Sequence, residues 1–225
     1  MNKIPIYFVP GLAASVEIYD YLNLPEDRYE CIFLEWLIPT SKKESIEHYA
    51  KRLCEQITHE NPVLVGVSFG GIMVQEMSKI ISVRKVIIIS SIKSSREFPL
   101  KLKLIRGLKL YKLLAPRAFQ DLEKISSKYF GKKAQKRIGH YKKFLSVRDP
   151  RYIEWAIHTV LHWKQKERLS IVSHIHGEED FIFPIKYIND CIVIKGGTHA
   201  MIIEKHKKIR KVLISLLESE ENKHY

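Results

Sequence analysis

A serine stands at the centre of Gly66-Val67-Ser68-Phe69-Gly70, between a short apolar run and a segment with helical apolar spacing. The run over 62–67 is rich in β-branched residues and predicts a strand, and the periodicity over 70–82 predicts a helix. A serine in such a turn has a strained backbone, which glycine neighbours tolerate, and its hydroxyl is held clear of the sheet. The G-x-S-x-G pattern in this strand–turn–helix setting is typical of a nucleophilic serine.

Two further segments supply the partners that a serine nucleophile needs. A serine hydroxyl is a weak nucleophile at neutral pH, so it requires a base, and the base requires a group that orients it. Asp180 follows a predicted strand over 170–176, and His199 follows a predicted strand over 190–194. Because the carboxyl ends of parallel strands lie at one edge of a sheet, we expect Ser68, Asp180 and His199 to converge there.

These elements resemble the α/β-hydrolase fold family over nearly the whole chain. The matching motifs, in chain order, are Gly66–Gly71, His176-Gly177-Glu178-Glu179-Asp180 and Gly196-Gly197-Thr198-His199. The resemblance implies that Ser68 is the nucleophile, that His199 is the general base and then the acid, and that Asp180 orients His199. Other carboxylates lie close to Asp180, but Asp180 alone sits three residues past the glycine, as the family pattern places it. Some family members carry the acid one strand earlier; the segment 90–95 has no carboxylate, which favours Asp180.

The resemblance also implies an oxyanion hole made of two backbone N–H groups. One belongs to Phe69, the residue after the nucleophile. We assign the other to Leu12, in the segment that follows the predicted strand over 4–9. Relatives commonly have a histidine where this chain has Pro10. Proline fixes φ and lacks an N–H, so we expect a stiffer loop that keeps the Leu12 donor.

Strand and helix patterns alternate along the chain, as in a parallel sheet covered by helices on both faces. We predict an α/β fold with a mostly parallel sheet of about six strands, without the antiparallel pair that usually begins the family's sheet. The predicted strands are 4–9, 30–35, 62–67, 85–90, 170–176 and 190–194, and the predicted helices are 43–59, 70–82 and 201–218. The hydrolase core is expected to comprise residues 1–92 and 169–225.

The positive charge of the chain is concentrated between two predicted strands. The 225 residues have a formal net charge of +13, and the interval 93–168 contains 21 Lys or Arg and 6 Asp or Glu. The resemblance implies a helical cap over the active site here, and helical patterns occur at 100–114, 117–130, 132–146 and 150–165. Solvated helix faces, steering of an anionic substrate, and docking of the basic helix over 100–114 on anionic lipid all remain open. No nucleic-acid motif accompanies the charge, so no nucleic-acid partner is predicted.

Three residues of the predicted cap are candidates for the substrate pocket. His158 and His162 lie four apart in a predicted helix, next to Trp155. This spacing can ligate a metal, but the segment lacks the glutamate of the zinc-protease motif. We favour aromatic packing with a histidine facing the pocket, and we predict neither a metal nor an organic cofactor.

The sequence predicts neither a membrane span nor a targeting signal. Met1–Lys3 leads directly into a predicted strand, and no run approaches the ~18 apolar residues that a span needs. The three cysteines, Cys31, Cys54 and Cys191, are odd in number and far apart, which argues against a disulfide framework. We predict a cytoplasmic enzyme with a small-molecule substrate and no transmembrane segment, and peripheral membrane contact by the basic cap stays open.

The combined motifs predict a serine hydrolase that cleaves a small or medium carboxylic ester or thioester through an acyl-enzyme intermediate. The same fold and triad also serve C–C hydrolases, haloperoxidases, lyases and acyltransferases, because a fold does not fix a reaction. A binding module that has kept the fold and lost turnover is the alternative from another class. Haloalkane dehalogenase and epoxide hydrolase chemistry is disfavoured, since relatives with those activities use an aspartate where Ser68 stands.

Overall fold

Six strands form one sheet in the computed structural model, which describes residues 3–108 and 144–219. The strands are β1 (Ile4–Val9), β2 (Tyr29–Phe33), β3 (Val63–Val67), β4 (Lys85–Ile89), β5 (Val172–Gly177) and β6 (Ile192–Ile194). Their order across the sheet is β2-β1-β3-β4-β5-β6, and every neighbouring pair is parallel. The predicted α/β class and strand number are confirmed, and the described residues contain no antiparallel pair.

The helices of the described residues follow the predicted segments with shifted ends. They are α1 (Ile46–Cys54), α2 (Phe69–Met77), α3 (Leu100–Gly107), α4 (Pro150–His162), α5 (Met201–Glu204) and α6 (His206–Glu218). Helix α1 begins later than predicted because the Ser45 side chain accepts the His48 N–H and caps its start, and it ends at Cys54, five residues before the predicted end. The single helix predicted over 201–218 is wrong: Lys205 has φ −120° and ψ 24° and separates α5 from α6.

Both faces of the sheet are buried, and alternate residues of each strand belong to different layers. Ile6 and Phe8 of β1 pack in the layer that contains the buried side of α6, whereas Tyr7 and Val9 pack in the layer of α1, α2 and α4. Successive side chains of a strand point to opposite faces, so each strand contributes to both layers. This arrangement explains why the central strands are continuous apolar runs.

The strand order reverses between β1 and β3. The chain goes from β1 to the outer strand β2 and then crosses back to β3 on the other side of β1. In open α/β sheets, ligands bind outside the carboxyl ends of the strands at such a switch point. The segments that begin at Pro10 and at Ser68 leave the sheet at this position.

The interval 93–168 lies between β4 and β5, where the cap is predicted. Within it, helices α3 and α4 belong to the described residues. Helix α4 begins at residue 150, where its predicted pattern begins, with the Asp149 side chain accepting the Arg151 and Tyr152 N–H groups and Pro150 in the first turn. The predicted helix over 117–130, residues 132–143 of that over 132–146 and residues 109–114 of that over 100–114 lie outside the described residues. The extent of a cap domain therefore stays a prediction.

Candidate active site

Ser68 joins β3 to α2 through an unusual backbone conformation. Its φ is 54° and its ψ is −114°, which costs a residue with a side chain about 1–3 kcal/mol. Three hydrogen bonds hold it there: the Ser68 N–H donates to Ile89 O at 2.9 Å, and the Ser68 carbonyl accepts from Gly71 N at 3.0 Å and from the Ser91 hydroxyl at 2.7 Å. The neighbouring strand β4 and the segment after it therefore support the strained serine.

The two glycines that flank Ser68 are required for space. A Cβ on Gly66 would lie 2.2 Å from the Gly70 carbonyl oxygen, and a Cβ on Gly70 would lie 2.1 Å from the Val9 carbonyl oxygen. Neither glycine has a positive φ, so their role differs from the relief of backbone strain that the sequence suggests. They allow the start of α2 to pack directly on the ends of β1 and β3.

His199 connects Ser68 to Asp180 through both of its ring nitrogens. The His199 Nε2 lies 3.0 Å from Ser68 Oγ, and the His199 Nδ1 lies 2.8 Å from Asp180 Oδ2. The Asp180 side chain is fully buried, whereas that of His199 is 22% exposed. An Nδ1–H that donates to the carboxylate leaves the lone pair of Nε2 free to accept the serine proton.

The Asp180 carboxylate is fixed by the turn that contains it. Its Oδ1 accepts the N–H groups of Ile182 and Phe183, each at 2.9 Å. Burial alone would raise the pKa of this carboxyl. The charge and hydrogen bond of His199, the Phe183 N–H and the nearby His176 outweigh burial and lower the pKa below its ordinary value. Asp180 is thus an anion that can stabilise a protonated His199.

Close backbone contacts join the Asp180 turn to the loop of His199. The Glu179 N–H donates to Gly197 O at 2.8 Å, and a Cβ on Gly177 would lie 2.4 Å from the same oxygen. Directly before His199, the Thr198 hydroxyl donates to Glu204 Oε2 at 2.6 Å and connects the loop to α5. The acid and the base are therefore held by one packed unit.

The segment after β1 lies beside the serine, where the sequence predicts the second oxyanion donor. A Cβ on Gly11 would lie 3.6 Å from Ser68 Cβ. The carbonyl of Gly11 accepts the Trp36 indole N–H at 3.0 Å, and the Trp36 ring stacks on Phe69 with centroids 5.0 Å apart. The Phe69 N–H is one of the first amides of α2, which have no acceptor within their helix. Leu12, which follows Gly11 in the chain, and Phe69, which follows Ser68, thus belong to two segments that meet at Ser68.

The three candidate pocket residues have different surroundings. Trp155 is buried, donates its indole N–H to Glu44 O at 2.8 Å and contacts Phe69 edge-to-face at 5.9 Å between centroids. His158 is exposed, and its ring stacks on that of His162 at 4.1 Å. Trp155 is therefore connected to the residue next to the nucleophile, and the rings of His158 and His162 contact each other.

Several supporting residues are absent from the sequence prediction. Trp36 lies in the segment between β2 and α1, which contains no motif, and Ser91 lies in the segment 90–95, which contains no carboxylate to suggest a catalytic role. Phe183 acts through its backbone and through an edge contact with the His199 ring, with centroids 5.7 Å apart. Residue types do not predict such roles, and the one sequence feature that could have indicated Ser91 is its position two residues past the end of β4.

In 3–108 and 144–219, no group of three or more His, Cys, Asp or Glu side chains could hold a metal ion. Within the same ranges, no helix is long and apolar enough to cross a membrane.

Comparison with known proteins identifies the fold. No family model and no curated protein matches the sequence. Among solved structures, bromoperoxidase from Bacillus anthracis gives a TM-score of 0.71 at 18% identity, over 97% of this chain and 93% of that protein. MenH from S. aureus gives 0.71 at 15% identity over 98% and 96%, and a thermophilic esterase from Thermogutta terrifontis gives 0.69 at 15% identity over 96% and 90%. The chain has the α/β-hydrolase fold.

Proposed function

We propose that this α/β-hydrolase-fold protein is a serine hydrolase that cleaves a small or medium carboxylic ester or thioester through an acyl-enzyme intermediate. One observation carries the proposal, the unbroken hydrogen-bonded chain from Ser68 Oγ through His199 to Asp180, with distances of 3.0 Å and 2.8 Å. These distances are within the range of a nucleophile, a base and an orienting acid that act together. The conformation of Ser68 supports the assignment, because strain of this kind persists at functional sites.

The reaction follows from the order of the three groups. The Ser68 oxygen attacks the carbonyl carbon of the substrate while His199 Nε2 takes the hydroxyl proton, and Asp180 stabilises the resulting imidazolium. His199 then donates that proton to the leaving alcohol or thiol, which leaves the acyl group on Ser68. A water molecule then attacks the acyl carbon while His199 Nε2 takes one of its protons. His199 returns this proton to Ser68 Oγ as the bond between Ser68 and the acyl carbon breaks, and the carboxylic acid departs.

The negative charge that develops on the carbonyl oxygen requires donors aimed at it. The backbone N–H groups of Leu12 and Phe69 are the candidates, and loss of one such donor typically reduces kcat by about 10²–10³. Trp36 supports both, because it holds the carbonyl of Gly11, next to Leu12, and stacks on the Phe69 ring. The proposal therefore places the oxyanion between the ends of β1 and β3.

An apolar acyl group fits the environment of the nucleophile. Phe69 and its neighbours Trp36, Tyr152 and Trp155 form a buried aromatic cluster, each less than a tenth exposed. Such surroundings disfavour a charged acyl chain, since an unpaired charge is costly to desolvate. The similar solved structures include esterases and a bromoperoxidase, all at 18% identity or below. The bond that this protein cleaves is therefore tested below with a panel of substrates.

The direct test is covalent labelling by a fluorophosphonate probe, followed by mapping of the modified residue. We expect one modification, at Ser68, and none in Ser68→Ala. Ser78→Ala is the matched control, because Ser78 lies at the other end of α2 with its hydroxyl bonded to Gln75 O. His199→Ala should reduce ester turnover by several orders of magnitude.

A second measurement separates the reaction classes. A panel of activated esters and acyl thioesters of different chain lengths should show turnover that depends on Ser68. If the probe leaves Ser68 unmodified and no panel member reacts, a binding module replaces the hydrolase proposal. If the probe labels Ser68 but the unlabelled protein oxidises bromide with peroxide faster than it cleaves any ester, the proposed bond type is wrong.

A further inference from the structure

Two buried histidines lie directly behind the Asp180 turn. His174 and His176 are neighbours on one face of β5 and are 2% and 0% exposed. The His174 Nε2 lies 3.0 Å from the His176 Nδ1. The other nitrogen of His176, Nε2, lies 2.8 Å from the Phe183 carbonyl oxygen and 3.7 Å from Asp180 Oδ2. The proposed reaction uses neither ring.

The contacts determine where the protons of this pair reside. A carbonyl oxygen can only accept, so the His176 Nε2 carries a hydrogen and donates it to Phe183 O. Burial keeps both rings neutral by lowering the pKa of His174 and of His176. The His176 Nδ1 is then an acceptor, and the hydrogen between the rings belongs to His174 Nε2. His174 thus fixes the tautomer of His176.

Phe183 is the residue through which this pair reaches the active site. Its carbonyl oxygen accepts from His176, its N–H donates to Asp180 Oδ1 at 2.9 Å, and its ring contacts the edge of the His199 ring. One residue therefore touches the pair, the acid and the base. A shift of Phe183 would move both the carboxylate and the imidazole that it orients.

We propose that His176 is a positioning residue, oriented by His174, that fixes Asp180 and His199 through Phe183. The kinetic consequence rests on the proposed hydrolase function, whereas the geometric consequence does not. A misplacement of reacting groups by about 1 Å can reduce turnover about 100-fold, so loss of the His176 donor should reduce kcat by about 10- to 100-fold. KM should change much less, because neither histidine is placed at the substrate.

The test compares His176→Leu, which removes the donor, with His176→Gln, which retains an N–H near the Phe183 carbonyl. The readout is the downfield proton resonance of the His199 Nδ1–H in its bond to Asp180, assigned by its loss in His199→Gln. We expect this resonance to broaden or vanish in His176→Leu and to return, together with most of kcat, in His176→Gln. His206→Leu is the matched control, since His206 also bonds a backbone carbonyl, that of Ile203, away from Asp180.

The two proposals fail in different ways. If the wild-type protein shows the resonance but neither labelling at Ser68 nor turnover, the hydrolase proposal fails, and the NMR comparison still tests the positioning role. If His176→Leu does not fold, His174→Leu takes its place, and the same resonance should broaden because the tautomer of His176 is no longer fixed. A folded variant with an unchanged resonance and unchanged kcat would overturn the positioning role.

Discussion

Acidification from pH 7 to pH 5 should destabilise the protein through the two buried histidines of β5. The pKa of His174 lies well below its ordinary value because of burial, the adjacent His176 and the charge of Lys93. Burial also lowers the pKa of His176, although Asp180 opposes the shift. In the unfolded chain both rings are exposed and take up protons near pH 6.5. The unfolded state therefore binds more protons than the folded state as the pH falls, and stability is lost.

The size of this loss follows from the linkage between proton binding and folding. A histidine with an unfolded pKa of about 6.5 that stays neutral in the folded state costs about 1.9 kcal/mol between pH 7 and pH 5. His174 should contribute nearly this amount, and His176 should add a smaller amount of the same sign. Asp180 does not interfere, because its lowered pKa affects stability where the pH falls below about 4.

Urea denaturation at pH 8, 7, 6 and 5, monitored by the fluorescence of the tryptophans, measures the effect. We expect His174→Gln to lose less stability than the wild type between pH 7 and pH 5, by about 1.5–2 kcal/mol. Between pH 8 and pH 7, where the pair is neutral in both states, the two proteins should change in parallel. Equal losses between pH 7 and pH 5 would refute the reasoning, since His174 would then be protonated in the folded protein.

Three further changes test the packing and the charge. Gly70→Ala should lower the free energy of unfolding by at least about 2 kcal/mol in chemical denaturation, because the new Cβ would lie 2.1 Å from the Val9 carbonyl oxygen. Gly107→Ala is the control: nothing lies within 4 Å of its new Cβ, so this variant should be neutral or slightly stabilising. Trp36→Phe, which removes the hydrogen bond to Gly11 O, should lower kcat more than it raises KM in ester hydrolysis. If the basic interval 93–168 steers substrates, kcat/KM should fall steeply for anionic esters and little for neutral ones as salt rises from about 0.01 M to about 1 M.

Each of these three has an outcome that contradicts it. Equal stability of the Gly70 and Gly107 variants would show that the start of α2 can move away from β1. A Trp36 variant with unchanged kcat would remove the support proposed for the oxyanion loop. Parallel salt curves for anionic and neutral esters would leave solvated helix faces or lipid docking as explanations of the charge.

The sheet could be predicted from the sequence because its strands are buried on both faces. Short β-branched runs such as Val63–Val67 and Lys85–Ile89 alternate with helical patterns, and this combination indicates parallel strands. The division between α5 and α6 could not be predicted from periodicity. The apolar spacing continues across the break, because Met201 and Ile202 before it and Ile209, Leu213 and Leu217 after it are all buried. The break consists of the changed backbone angles of one residue, Lys205, and hydrophobic periodicity does not predict it.

The candidate triad could be predicted because each of its residues follows the end of a strand and lies within a recognisable sequence motif. The residues that hold the triad in place contact it through the tertiary fold, and no spacing in the sequence predicts these contacts. Trp36 reaches Gly11 from the segment after β2, and Ser91 reaches the Ser68 carbonyl from the segment after β4. His176 lies within a motif, but its relation to Phe183 depends on the fold of the turn between them.

A close backbone contact that only glycine permits occurs both beside Ser68 and beside Asp180, and it explains why the motifs need their glycines. Gly70 lets the start of α2 approach the Val9 carbonyl oxygen, and Gly177 lets the end of β5 approach the Gly197 carbonyl oxygen. The first contact fixes Ser68 against the end of β1, and the second fixes Asp180 against the loop of His199. Backbone contacts this close cannot relax through side-chain rotation, so the serine and its partners are positioned by rigid packing of the core. The three residues of the hydrogen-bonded series, Ser68, His199 and Asp180, all lie outside the interval 93–168. Substitutions in this interval should therefore change which substrates reach Ser68, while the reactivity of Ser68 toward a small probe persists.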